Sequence, residues 1–287
     1  MSSSADQPVS TPEAQRLYRQ ARLYSLLGGR RRASELCRSA LKLGDHALAR
    51  KLLARMELPG EEYFDVLRRM HGYLKPKNYV EIGIWKGKSL RLAAPDTRVL
   101  GIDPAPRLKR PARAHMQIFS ETSDDFFAHR QLPELLGGEA VELALIDGMH
   151  KFEYALRDFI NLERYSKPGS IILFHDCYPI DEPSAQRERQ TLFWSGDIWR
   201  VILLLKKHRP DLSVHTILTP PSGLGMVLNP DSRSTVLAER LEQVIAEGFA
   251  LTYAALAERK AELLNGCPNN WSKIRALLDA RREAWRR

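Results

Sequence analysis

Residues 142–159 read ELALIDGMHKFEYALRDF. An apolar run of strand character ends abruptly in Asp147 and His150, and a helical stretch begins near Lys151. The same junction recurs at 169–178, GSIILFHDCY, where the run ends in His175 and Asp176. Runs that are apolar on nearly every residue belong to strands covered on both faces, as in a parallel sheet flanked by helices. Outward from these two lie YVEI (79–82), RVLGI (98–102), HMQIF (115–119), SVHTIL (213–218) and GMVL (225–228), separated by amphipathic stretches. The expected class is therefore α/β, a doubly wound and mostly parallel sheet.

On either side the texture is helical. Residues 13–74 carry apolar faces (Leu17, Ala21 and Tyr24; Leu36, Ala40 and Leu43; Phe64, Leu67 and Leu74) with arginines over much of the rest, which predicts three or four short helices. Residues 231–287 return to helix, with a long apolar stripe over 234–264, a break at NGCPNN and a basic final helix. The expected organisation is a disordered tail (1–12), a basic helical region (13–74), a cofactor-binding domain (75–230) and C-terminal helices (231–287). The apolar stripes of the terminal helices suggest a homodimer.

At 287 residues and 44% hydrophobic content the chain can bury a substantial core. Its formal charge of +9 allows an anionic partner without choosing one. Cys37, Cys177 and Cys267 are too widely spaced for a metal or disulfide framework, and a cytoplasmic location is expected. No apolar run approaches the ~20 residues that span a bilayer, and the polar start MSSSADQPVSTP is unlike a secretory signal.

Ligands of open α/β sheets bind beyond the carboxyl ends of the strands. Polar residues at successive strand ends can therefore converge on one ligand. After the first strand, Glu81 is followed by a turn bracketed by Gly83 and Gly87, and Ser89 starts an expected helix. Gly83 permits close approach of a ligand to the backbone. Asp103 ends the second strand about 20 residues on, where a carboxylate can accept from both hydroxyls of a ribose. In order and at this spacing the two features favour an adenosine-containing cofactor. Trp85 stands where a dinucleotide fingerprint has its second glycine, and an indole there obstructs a pyrophosphate. Glu81 suits an amino-acid ammonium group instead, which points to S-adenosyl-L-methionine.

VEIGIWKGKSL (80–90), VLGIDPAP (99–106), the stretch 143–177 and SGDIWRVILLL (195–205) resemble the motifs of class I S-adenosylmethionine-dependent methyltransferases. The nearest subgroup is the one similar to macrocin-type sugar O-methyltransferases and cephalosporin-hydroxylase-like proteins, over roughly residues 78–230. The resemblance implies a Rossmann-like sheet of seven strands with the last antiparallel, and methyl transfer to a small polar acceptor such as a saccharide. It places Glu81, Gly83 and Gly87 at the methionine moiety, Asp103 at the ribose, Ser120 near the adenine, and Asp147 in the same site. It also implies a divalent cation on Asp147 and Asp176. Where metal-using members carry an acidic pair, this chain has His175 and Asp176, and imidazole suits a transition metal better than magnesium.

Methyl transfer requires an aligned nucleophile and an acceptor for its proton. His150, His175 and, if a cation is present, Asp147 are the candidates; His150 as a helix cap and His175 as a prop for Asp176 are the plain alternatives. Asp158 reads as structural. The segment 178–200 is long enough for a lid, with Phe193, Trp194 and Trp199 as stacking surface or as packing, and Asp197 as a cap for the helix carrying Trp199. Two other functions fit the basic flanks: an RNA-binding protein or RNA methyltransferase, and a non-catalytic scaffold. The loop after the fourth strand lacks the Asn/Asp-Pro-Pro-aromatic pattern of base-amine methylation, which argues against nucleic acid.

Overall fold

The computed structural model describes residues 10–285, so most of the expected tail over 1–12 lies outside the described residues. The seven apolar runs form seven strands: β1 (Asn78–Ile82), β2 (Arg98–Ile102), β3 (Met116–Phe119), β4 (Val141–Ile146), β5 (Ser166–His175), β6 (Ser213–Ile217) and β7 (Leu224–Leu228). They lie in the order β3-β2-β1-β4-β5-β7-β6. β1 to β5 pair in parallel, and β7 runs antiparallel to both β5 and β6. The chain order reverses between β1 and β4, which opens the crevice in which such sheets bind ligands. An eighth strand, β8 (Gly266–Cys267), pairs with Thr216 and Ile217 at the edge. It comes from the NGCPNN break, and two residues give no periodicity to read.

Alternate strand residues enter two separate cores, as the two-residue repeat demands. Val80, Ile82, Ala144, Ile146, Ile172 and Phe174 face one side. There they meet α1 (Pro12–Leu26), α2 (Arg30–Lys42), α3 (Ala47–Glu57), α7 (Phe152–Arg164), α8 (Trp199–His208) and α10 (Leu241–Ala250). Tyr79, Leu143, Leu145, Ile171 and Leu173 face the other side, against α4 (Tyr63–Leu74) and α13 (Trp271–Trp285). The two short helices after β3 are α5 (Ser123–His129) and α6 (Leu132–Leu136). Both helical flanks therefore share their buried residues with the sheet.

Two readings of helix differ. After Ser89 only a single 3₁₀ turn forms (Leu90–Leu92), because Pro95 and the next strand at Arg98 leave no room for more. The apolar stripe of 234–264 breaks into α9 (Val236–Glu239), α10, α11 (Tyr253–Ala257) and α12 (Lys260–Leu263). At the close of α10, Gly248 lies so near Phe152 that a Cβ would sit 2.3 Å from its ring. Leu251 then turns extended, and Thr252 caps α11 by accepting from the Ala255 N–H.

Candidate active site

The carboxyl ends of β1, β2, β4 and β5 open into a cavity of about 900 Å³. Gly83, at φ +85°, is demanded by packing: a Cβ there would meet the Asp147 carbonyl oxygen at 2.1 Å. The turn after β1 is thereby pressed onto the backbone leaving β4. Gly87, at φ +66°, closes the turn through its N–H to the Ile84 carbonyl (2.7 Å) and does not line the cavity. Trp85 also takes a positive φ of +38°, a conformation costly for an aromatic residue, and its N–H donates to Asp103 Oδ2 at 2.8 Å. Asp103 Oδ1 accepts from the Ala105 N–H at 2.8 Å. The carboxylate at the end of β2 thus pins the turn after β1 while facing the cavity.

Glu81 lies beneath this turn, fully buried and behind the cavity wall. Tyr79 donates to its Oε2 at 2.9 Å, and Ser89, which does line the cavity, donates to its Oε1. Burial pushes the Glu81 carboxyl up to about 8 against those two hydrogen bonds, with Asp147 and Asp103 adding to the rise. Ser120 is exposed and outside the cavity wall; Thr122, Ser123 and Asp124 line it instead.

At the ends of β4 and β5 the four expected groups meet. His175 Nδ1 lies 3.1 Å from Asp147 Oδ1 and 3.3 Å from Asp176 Oδ2. His150 Nδ1 lies 3.0 Å from Asp176 Oδ2, at ion-pair distance without hydrogen-bond alignment, and its Nε2 is 4.0 Å from Asp147 Oδ1. His150 and Asp176 both have positive φ, 56° and 62°. Burial disfavours the charged imidazole of His175, yet Asp176 and Asp147 outweigh it and hold its pKa well above the usual value; His150 is raised on the same balance. Burial would raise Asp176, but the two imidazoles overcome it and keep this carboxyl ionised. Ser222 donates to Asp176 Oδ1 from the turn between β6 and β7.

Residues that sequence reasoning left out complete the wall. The start of α4 supplies Tyr63 and Phe64, which had read as helix or core residues. The Tyr63 ring lies 4.0 Å from that of His175, and its N–H donates to the Pro220 carbonyl (3.1 Å). Adjacent aromatics at a helix start were the available signal. Lys51 and Arg55 reach the cavity from α3.

The long 178–198 loop is fastened across α7. Trp194 stacks on His150 with ring centroids 5.0 Å apart and planes at 9°. Gly196 approaches so closely that a Cβ would lie 1.9 Å from the His150 carbonyl oxygen. Asp197 accepts from the Phe152 N–H at 2.8 Å, so it caps α7 across space rather than α8. His150 is accordingly not the cap of α7. Phe193 and Trp194 line the cavity, whereas Trp199 is buried in the core at the first position of α8.

Asp147, His175 and Asp176 offer donor atoms within 4.8 Å of one another. One imidazole and two carboxylates fit a borderline divalent ion better than magnesium, and His175 Nε2 is buried without a hydrogen-bond partner among the described residues.

Residues 80–177, from β1 to the end of β5, match a family model described as a methyltransferase domain. That stretch of the chain is therefore a methyltransferase domain. Among solved structures it is similar to cofactor-bound Rv0187 from MTB, at 19% identity and TM-score 0.46 over 64% of this chain and 88% of that one. It is also similar to the O-methyltransferase from Bacillus cereus in complex with SAH, at 15% identity and TM-score 0.42 over 62% and 87%. A third is the O-methyltransferase TomG from Streptomyces achromogenes, involved in tomaymycin synthesis and solved with SAM, at 15% identity and TM-score 0.42 over 64% and 90%. No curated protein matches the chain in sequence. No described helix is long and apolar enough to cross a membrane.

Proposed function

We propose that the protein is an S-adenosyl-L-methionine-dependent O-methyltransferase acting on a small polar acceptor such as a saccharide or glycosylated metabolite. The observation that carries this reading is one cavity faced both by Asp103 and by the cluster of Asp147, His150, His175 and Asp176. Asp103 would accept from the ribose hydroxyls, since its oxygens have lone pairs left beyond the two backbone N–H groups. Ser89, held by Glu81, and the Gly83 turn would hold the amino-acid end, with Thr122, Ser123 and Asp124 beside the adenine. Trp85 leaves the turn without the glycine that a pyrophosphate needs, which fits a cofactor lacking phosphate. When bound, that cofactor supplies a methyl group already activated on a sulfonium.

The remaining chemistry belongs to this chain. The Asp176 carboxylate, 3.0 Å from His150 Nδ1, would favour a proton on that nitrogen and leave Nε2 to take the acceptor's proton. Trp194 holds the ring in plane, and with Phe193, Phe64 and Tyr63 it covers the site from water. His175, between two carboxylates, keeps its proton and balances their charge. A divalent ion on Asp147, His175 and Asp176 would supply that charge instead and acidify a bound hydroxyl.

We further propose that residues 75–230 are the cofactor-binding unit and that the chain works in the cytoplasm, where its three free, buried cysteines stay reduced. A homodimer through the terminal helices is supported by exposed Leu23, Leu26 and Leu27. Turnover of labelled S-adenosylmethionine against a metabolite extract tests the activity. Label transfer that is lost in His150→Ala supports the reading, and transfer unaffected by that change removes His150 as the base. Calorimetric titration showing no micromolar binding of S-adenosylhomocysteine removes the cofactor.

A further inference from the structure

Methyl transfer leaves one part of the cavity wall without a role. Lys51 and Arg55 lie one turn apart on the same face of α3, and Arg189 comes from the 178–198 loop; all three line the cavity. Several cations elsewhere on the helical flank are neutralised, Arg38 by Glu57, Arg68 by Asp65 and Arg69 by Glu61. Among the described residues Lys51 and Arg189 meet no carboxylate. Arg189 donates only to the carbonyls of Thr191 (3.3 Å) and Leu192 (3.2 Å), and Arg55 shares its charge with Glu62 at 2.9 Å.

The elements that carry these cations are joined to one another. The Leu192 N–H donates to Asp45 Oδ2 at 3.0 Å, and buried Arg50 bridges Asp45 to Asp181, so the loop is tied to the start of α3. The same loop stacks Trp194 on His150, so Arg189 comes from the segment that packs on the cluster. Lys86 and Lys88 belong to the turn after β1, on the cofactor side; Lys86 Nζ sits 3.8 Å over the Trp85 ring. Two cations without a carboxylate and a third shared with Glu62, exposed at the edge of a cavity lined with Phe64, Phe193 and Trp194, suit an anion carried on a ring-bearing ligand.

We propose that the acceptor carries an oxyanion, phosphate or carboxylate, which Lys51, Arg55 and Arg189 hold while its hydroxyl meets the Asp147, His150, His175 and Asp176 cluster. The proposal rests on the methyl-transfer reading and narrows its substrate class. It predicts that neutral sugars are poor acceptors beside their phosphorylated or uronic counterparts.

The test is calorimetric titration of inorganic phosphate and, separately, acetate into the full chain saturated with S-adenosylhomocysteine, at an ionic strength of about 0.15 M. Wild type should bind an oxyanion with a Kd of roughly a millimolar. The double variant Lys51→Met/Arg189→Met should bind it at least tenfold more weakly, and Lys51→Arg/Arg189→Lys should restore it. Stronger phosphate binding assigns a phosphoryl group and stronger acetate binding a carboxylate, and either upholds the proposal. Absence of saturable anion binding, equal binding by the double variant, or loss only in Lys86→Met/Lys88→Met overturns it. Failure of S-adenosylhomocysteine to bind while the anion still does so sinks the cofactor reading alone.

Discussion

Asp103→Ala tests whether one carboxylate both pins the turn after β1 and binds the ribose. In the folded chain both oxygens already accept backbone N–H groups, from Trp85 and Ala105, each at 2.8 Å. The first of these holds a tryptophan at φ +38°, a conformation that costs about 1–3 kcal/mol and persists only where the surroundings impose it. Two ribose hydroxyls donating to the same carboxylate would add charge-assisted bonds of ~1.5–3 kcal/mol each. Because Asp103 is half-exposed, water replaces part of that, and the lower end is the better figure: about 3 kcal/mol, or roughly 10²-fold in affinity. Loss of the turn alone would also weaken binding, so the affinity of the variant is not sufficient. The discriminating ligand is the 2′-deoxy analogue of S-adenosylhomocysteine, titrated calorimetrically beside the parent. Wild type should bind the analogue about tenfold more weakly, the value of one charge-assisted bond, and Asp103→Ala should not distinguish the two. Equal discrimination by both proteins, or an Asp103→Ala affinity for the parent within about threefold of wild type, would refute the assignment of this acid to the ribose.

Three further outcomes are expected. His71 is buried beside the Tyr79 ring with neither nitrogen partnered, and burial lowers its pKa to about 4. Its unfolded value is higher, so stability is full above pH ~6.5 and is lost as pH falls towards 4; between pH 7.5 and 5, wild type should lose about 2 kcal/mol more than His71→Leu in urea unfolding. Glu81 and Asp158, raised by burial to about 8 and about 7, act in the opposite sense but cancel in that difference, and parallel pH curves for the two proteins would exclude the effect. Gly83→Ala drives a methyl group into the Asp147 carbonyl at a positive φ; it should lower Tm by several degrees and abolish methyl transfer, and wild-type turnover would show that this contact is not rigid. Leu26→Lys/Leu27→Lys should give a monomer by light scattering if α1 pairs two copies; an unchanged mass removes α1 from the interface.

The sheet was legible because most of the seven apolar runs are buried on both faces, β3 and β6 less so than the rest, and such runs have few alternatives in a chain of this size. β8 was not legible, since two residues held at an edge by Asn265 and Cys267 contacts show no pattern. The acids and histidines at the strand ends stood out against apolar runs, and the structure brings Asp103, Asp147, His150, His175 and Asp176 to one cavity. Tyr63, Phe64, Lys51 and Arg55 did not stand out. Helical periodicity marks a face that must be covered without saying whether a sheet or a cavity covers it. Asp197 shows the same limit in another form: it caps a helix that begins 45 residues earlier in the chain. Sequence spacing cannot reveal a hydrogen bond that exists only after the loop has folded over α7.

The appended helices are therefore parts of the site. α4 is held by its Tyr63 N–H on the Pro220 carbonyl, and Thr219 and Asn269 both donate to the Glu61 carbonyl, so its first turn is fixed at both ends of a crossing between β6–β7 and the C-terminal region. α3 is held by Arg50, almost wholly buried between Asp45 and Asp181. Removing one partner of a buried pair of this kind costs about 3–5 kcal/mol, because the survivor is left charged and unsolvated. That cost is large beside the stability of a typical domain, and it falls on a contact joining the N-terminal helices to the loop that carries Trp194 and Arg189. The chain holds its basic flank and the 178–198 loop in one arrangement at considerable free-energy stake. A flank serving only solubility would need no such contact, whereas a flank that forms one wall of the cavity is held in place by it.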